Sequence, residues 1–175
     1  PDREWAVPSS PYAAAKLAAS AYGRMFHSLY GLPVVTLRLF MVYGPEQRDL
    51  KKLIPYTILS LKRGESPQLS GGDRAVDWVY VDDVVDAFVA CLNADKANGA
   101  TIDIGTGTLT TVRDVATMIA SLIKPNIEIS FGGVAARKNE QIRIANTELA
   151  GQLLAWQAKT TLEAGLAATI DSLDA

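Results

Sequence analysis

Apolar residues along this chain fall into two rhythms, short dense runs and longer periodic stretches. Residues 34–40 are β-branched and almost continuously apolar, the pattern of a strand buried on both faces of a parallel sheet. Tyr43-Gly44-Pro45 is expected to stop that strand. Residues 76–81, 101–104 and 127–131 read as further short strands. Helical patterns lie between them. Ser9, Ser10 and Pro11 mark a helix start, a serine cap with proline at the first helical position, and an alanine- and leucine-rich stretch then runs to about Tyr30, where Gly31 ends it. A second helix covers about residues 53–62, closed by Gly64, and a third runs from a cap at Asp82 or Asp83 to about Ala94. Thr111 and Asp114 form a capping-box pattern for a helix reaching about Ile123. A polar loop through Gln141 precedes two helices, near residues 147–154 and 161–173. Strands alternate with helices throughout, so the fold class is α/β.

Composition narrows the function classes. The chain has 175 residues, 49% of them hydrophobic and 21% charged, with a formal net charge of -2. That is ordinary globular composition, and no basic run stands out, so neither nucleic acid nor an anionic membrane is expected as a partner. No apolar stretch approaches the ~20 residues of a membrane span, and no signal-peptide pattern is visible, so the expected compartment is the cytoplasm. One cysteine and one histidine exclude an intrachain disulfide and a zinc site of the usual kind, and no metal is expected. Cys91 lies in an apolar helical pattern and is expected to be a buried, inert thiol.

The first helix carries candidate chemistry. Tyr12 and Lys16 are four residues apart and so share a helix face. An ammonium one turn from a phenol favours the phenolate, which suits proton exchange with a substrate hydroxyl near neutral pH. Of the six tyrosines, only Tyr12 has a lysine four residues on. His27 lies 11 residues after Lys16. At a rise of ~1.5 Å per residue it sits about 16 Å further along the axis, too far to share that proton, so a partly exposed structural role is expected.

The string from Pro8 to Ala19, Pro-Ser-Ser-Pro-Tyr-Ala-Ala-Ala-Lys-Leu-Ala-Ala, closely resembles the catalytic helix of extended short-chain dehydrogenases/reductases, the nucleotide-sugar epimerases, dehydratases and ketoreductases. Other matches follow in the family's order. Residues 37–45 resemble its "LRxFNVYGP" pattern, residues 76–84 its "RDFVYVDDV" segment and residues 104–107 its "NIGTG". Residues 154–156 resemble "LGW", and residues 161–166 resemble "LEEGL". The resemblance implies the carboxyl-terminal part of a Rossmann-like doubly wound fold plus a small α/β substrate-binding domain. Residues from 1 to about 50 are then a remnant of the dinucleotide-binding domain, and about 51–175 are mainly substrate-binding, interleaved with the sheet remnant.

The same resemblance implies roles for single residues. Tyr12 is the general acid or base, and Lys16 holds the nicotinamide ribose and eases ionisation of the tyrosine. A sugar hydroxyl gives its proton to Tyr12 while hydride passes to the nicotinamide ring. Phe40 lies by the nicotinamide and the substrate. Leu53, Gln68 and Ser70 line the nucleotide, and Arg137 and Glu140 fall at the "RxxD" positions that hold phosphate and ribose. The chain departs from the pattern at three places. Met41 replaces the asparagine of "FNVYGP", Val76 replaces the arginine of "RDF", and Glu140 replaces an aspartate. Arg74, two residues before Val76 and on the same side of a strand, is the expected substitute for the lost phosphate ligand.

A nicotinamide enzyme needs a glycine-rich βαβ unit to seat the pyrophosphate. Gly105-Thr106-Gly107 does not supply it, because the third glycine of GxGxxG would fall at Thr110. In the family that unit lies upstream of the tyrosine. The expectation is therefore NAD or NADP in the complete enzyme, with none bound by this chain alone, and a truncated chain that is inactive by itself. The expected small-molecule partner is a nucleotide sugar. Homo-oligomerisation or self-association is expected through an exposed sheet edge. The alternative is a non-catalytic module of the same fold that binds a nucleotide sugar or a protein.

Overall fold

The computed structural model describes residues 7–8, 10–124, 127–134 and 142–173. Helix α1 (Pro11–Tyr30) begins as its sequence dictates. The Ser10 side chain accepts the Ala13 N–H at 3.1 Å, Pro11 occupies the first turn, and Gly31 closes the helix in the left-handed region at φ 67°. Strand β1 (Thr36–Leu39) pairs in parallel with β4 (Thr101–Ile104), placing Arg38 opposite Asp103.

The extended run ends at Tyr43, as the turn residues implied, but it is divided into two strands. After Phe40, whose N–H still donates to Ile104 O, it re-enters a sheet as β2 (Met41–Tyr43). β2 pairs in parallel with β3 (Ala75–Tyr80), and β3 pairs antiparallel with β5 (Leu109–Thr111). One apolar run thus serves two sheets, β1-β4 and β2-β3-β5, and changes partner at Phe40.

Strand β3 joins the two halves of the core. Val76, Trp78 and Tyr80 face a cluster with Tyr43, Ile58, Val115 and Leu166. That cluster is built from α2 (Leu53–Lys62), α4 (Val112–Ile123) and α6 (Leu162–Ser172). Val79, on the other face, enters a second cluster with Ala87, Ile102, Ile104 and Trp156. This two-sided burial is why the strand reads as apolar on both faces. α3 (Val81–Cys91) and α5 (Glu148–Leu154) support the second cluster. Thr111 and Asp114 form the expected capping box of α4, and Thr161 caps α6.

Two local expectations are corrected. Neither Asp82 nor Asp83 caps α3; Tyr80 is the capping residue and the two aspartates sit in the first turn. Asp83 is buried, and its carboxylate instead accepts the Lys159 and Thr160 N–H groups, while its carbonyl accepts Trp156 Nε1–H at 2.8 Å. Residues 127–131 form no strand but a single bridge, Leu69 with Phe131. The Ser66 hydroxyl takes the place of a ladder partner there, donating to Glu128 O and accepting Ser130 N–H. Cys91 is half-buried rather than buried, and its surroundings push the thiol pKa up, which keeps it protonated. Among the described residues, no helix is long and apolar enough to cross a membrane, and no group of three His, Cys, Asp or Glu side chains could hold a metal ion.

Candidate active site

α1 presents Tyr12 and Lys16 one turn apart. Lys16 Nζ lies 5.6 Å from the centroid of the Tyr12 ring, and the tyrosine is 72% exposed. The phenol is therefore open to an incoming ligand with an ammonium beside it. Three alanines separate the two residues, so the face between them carries no bulk. His27, lower on the helix, is half-buried against Gly99, and its Nδ1–H donates to Leu32 O at 2.8 Å. That is the structural role its position implied.

A cavity of about 570 Å³ opens where β1 passes into β2, a size typical of small-molecule sites. Arg38, Phe40 and Met41 line it from β1, β2 and their junction. Arg74, Val76 and Asp77 line it from β3 and the residue before it, and Asp103, Arg143 and Ile144 complete it. Arg38 Nε donates to Asp103 Oδ1 at 2.5 Å, across the register pair of the parallel strands. Asp103 Oδ2 also accepts Asn146 N–H at 3.2 Å.

Asp77 is 1% exposed and fully engaged. Its Oδ1 accepts the Thr106 N–H and the Thr106 hydroxyl, both at 2.7 Å; its Oδ2 accepts Gly107 N–H and Ala145 N–H, both at 3.0 Å. One carboxylate thus ties the loop after β4 and the segment before α5 to the floor of the cavity.

Comparison with known proteins decides the family. Residues 1–105 match the family model described as the NAD dependent epimerase/dehydratase family. This chain belongs to that family. It is 34% identical over 167 residues to the UDP-glucose 4-epimerase of Mycolicibacterium smegmatis, covering 94% of this chain and 53% of that protein. It is 32% identical to dTDP-glucose 4,6-dehydratase 1 of Escherichia coli K12, covering 94% and 47%. Among solved structures, the Thermotoga maritima UDP-glucose 4-epimerase with UDP-glucose superposes with a TM-score of 0.88 at 30% identity, over 96% of this chain and 54% of that one. The chain spans about half the length of the curated relatives it matches.

Placed against the epimerase/dehydratase pattern, the expected site residues divide into groups. Phe40 and Arg74 reach the cavity, together with Met41 and Val76, the two departures from the family pattern. Tyr12 and Lys16 stand on α1 and are not among the lining residues. Leu53 starts α2 and packs on the first core cluster. Gln68 is exposed, with its backbone N–H on the Tyr56 hydroxyl, and Ser70 is half-buried with its carbonyl accepting Gly132 N–H. Arg137 and Glu140 lie outside the described residues.

Sequence reasoning passed over Arg38, Asp77, Asp103 and Arg143. Three of them carried a readable signal. Each is a single charge within a short apolar strand, where an unpaired charge would be costly, and Arg38 and Asp103 have opposite signs. Arg143 sits in a polar loop and had no such signal.

The structure also explains why Gly105-Thr106-Gly107 is no dinucleotide cradle. The Thr106 and Gly107 N–H groups, which such a loop would aim at a pyrophosphate, point at Asp77. A Cβ on Gly105 would lie 2.7 Å from Ala145 Cβ and 2.9 Å from Asp77 Oδ2. This glycine serves close packing within the protein. Among the described residues, this loop therefore leaves the Thr106 and Gly107 N–H groups with no capacity for a pyrophosphate.

Proposed function

We propose that this chain carries the proton-transfer pair and the nucleotide-sugar side of an NAD(P)-dependent nucleotide-sugar epimerase or dehydratase. The observation that carries the proposal is the pairing of Tyr12 with Lys16 on one exposed helix face in a chain of this family. Tyr12 accepts a proton from a sugar hydroxyl, or returns one, at its phenolic oxygen. Lys16, one turn on, offers its ammonium to a ribose hydroxyl. Phe40 presents an apolar edge to the sugar from the cavity, and Arg74 faces phosphate, as Arg137 and Glu140 do in the family pattern. Leu53, Gln68 and Ser70 fall toward the nucleoside. NAD or NADP, when bound, supplies the hydride acceptor.

The domain reading follows. Residues up to about 50 belong with the dinucleotide-binding sheet, and the remainder is mainly substrate-binding, with β4 returning to pair with β1. The chain contains no glycine-rich βαβ unit, so by itself it binds no dinucleotide tightly and turns nothing over. The relatives named for UDP-glucose and dTDP-glucose make these two nucleotide sugars the first probes. Isothermal titration is expected to show UDP-glucose or dTDP-glucose binding and no comparable NADH binding. Failure of every nucleotide sugar up to millimolar concentration would sink the proposal.

A second reading, a non-catalytic module that binds a nucleotide sugar or a protein, draws on Met41 and Val76. Both line the cavity with apolar surface where the family pattern has polar ligands. Retention of the tyrosine and lysine together favours the enzyme.

A further inference from the structure

We propose that Arg113 is a positioning residue for the nucleoside end of the site: from the first turn of α4 it holds the loop at 68–72 and the segment at 131–133 against each other. The inference rests on the nucleotide-sugar reading above, in which Gln68 and Ser70 fall toward the nucleoside. It adds to that reading a residue that neither the family pattern nor the cavity had marked.

Arg113 is the second residue of α4. The amino end of a helix is the positive end of its dipole and disfavours a cation, so the helix itself gains nothing from an arginine there. Its contacts lie in the neighbouring loop. The guanidinium donates from Nη2 to Gly71 O at 2.6 Å, and the backbone N–H of the same residue donates to Gly72 O at 2.9 Å. One residue thus holds two successive carbonyls of the loop. Its Cζ also lies over the Phe131 ring, 4.0 Å from the centroid, so a third segment is tied to the same group. The Asp73 carboxylate stands 3.8 Å away and is almost fully exposed, and it contributes little.

The two segments joined in this way carry the nucleoside residues. Phe131 bridges Leu69, and Gly132 N–H donates to Leu69 O at 3.0 Å and Ser70 O at 3.2 Å. The Gln68 side chain lies across Gly133, where a Cβ would come within 2.5 Å of its Oε1. Gly72 makes the junction possible. A Cβ at that position would lie 2.9 Å from Phe131 Cδ1 and 3.1 Å from Arg113 Cβ, so a side chain there would part the ring from the arginine. A loop ordered before its ligand arrives loses less freedom on binding. A loop of fixed shape also separates one base from another, because discrimination is a difference of affinities.

The test is calorimetric titration of the full chain with UDP-glucose, dTDP-glucose and the purine analogue GDP-glucose, with hydrogen exchange of the free chain beside it. Arg113→Ala is expected to weaken the best-bound of the three by about tenfold, the scale of a lost hydrogen bond to a charged group and a lost cation–π contact. The affinity differences among the three should narrow at the same time. Arg113→Lys keeps the charge without the planar fork and should recover part of both effects. Phe131→Leu, which removes the ring beneath the guanidinium, should act in the direction of Arg113→Ala, and Asp73→Ala should change neither quantity. Exchange at the Gly132 amide should quicken in Arg113→Ala while the amides of β3 stay protected, which also checks that the variant folds. Unchanged affinities in Arg113→Ala would overturn the inference and leave the nucleotide-sugar reading standing. An equal loss for all three ligands would also overturn it, because a merely structural role leaves their order and spacing as they were. No binding of any of the three by the unsubstituted chain would remove the nucleotide-sugar reading and this inference with it.

Discussion

Asp77→Asn preserves shape and removes only charge and one acceptor, so it isolates what the carboxylate contributes. Two donors face each oxygen: the Thr106 N–H and hydroxyl at Oδ1, and the Gly107 and Ala145 N–H groups at Oδ2. An asparagine amide must turn its NH₂ toward one pair. Facing Thr106 is the better choice, because the hydroxyl can rotate to accept while the backbone N–H cannot. One hydrogen bond to a charged group is then lost, worth about 1.5–3 kcal/mol, and the two at the remaining oxygen drop to neutral strength, together about another 1 kcal/mol. Part of this is recovered as the loop at 105–107 and the segment before α5 relax around the amide. The net expectation is destabilisation by about 2–3 kcal/mol, a large share of the ~5–15 kcal/mol typical of a domain. Urea unfolding followed by tryptophan fluorescence reads it as a fall in midpoint at unchanged slope. Hydrogen exchange should also show faster opening at Thr106, Gly107 and Ala145 than elsewhere in the core. A loss below about 0.5 kcal/mol, the range of an indifferent surface substitution, would refute the anchoring role.

Other consequences are equally open to test. Gly165 lies inside α6, and a Cβ there would meet Tyr43 Oη at 2.3 Å and Tyr80 Cδ2 at 2.8 Å. Gly165→Ala should therefore lose about 1–3 kcal/mol despite the better helix propensity of alanine, whereas Gly151→Ala, in open space on α5, should gain up to about 1 kcal/mol. Equal effects in urea unfolding would contradict the packing argument. The Tyr43 pKa is raised, first by burial and then by Tyr80 and Asp83, so the folded chain holds the phenol while the unfolded chain ionises near ~10. Stability should thus be intact below pH ~10 and fall as pH rises above it, and Tyr43→Phe should lessen that fall; an unchanged alkaline profile would dismiss it. α1 has no buried residue, and Tyr22, Leu29 and Tyr30 on it are exposed, as are Val85 and Phe88 on α3 and Leu92 just past its end. Self-association at micromolar concentration follows from so much apolar surface, and a clean monomer by light scattering would count against it.

Local signals carried most of the fold. The Ser10-Pro11 start, the Gly31 end, the Thr111–Asp114 box and the β-branched strands were legible because each is decided within a few residues. What escaped the sequence depends on distant partners. Nothing near Asp83 shows that it will meet Lys159 and Thr160 and so not act as a cap. The apolar run at 127–131 has strand composition, but the Ser66 side chain takes the hydrogen bonds of a ladder. The site follows the same division. Tyr12 and Lys16 are four residues apart and readable, while the cavity assembles Arg38, Arg74, Asp77, Asp103 and Arg143 from four separate stretches. Only the opposed charges within β1 and β4 hinted at one of those contacts.

The central claim is that Tyr12 moves the proton in this family's chemistry. It is tested most directly by joining this chain, in one polypeptide, behind the dinucleotide-binding half of a relative. Turnover of UDP-glucose or dTDP-glucose is then measured with Tyr12 intact and with Tyr12→Phe, alongside nucleotide-sugar affinity. The account predicts that turnover falls by about 10²–10⁴-fold while affinity holds. Turnover unchanged in the phenylalanine variant would contradict it.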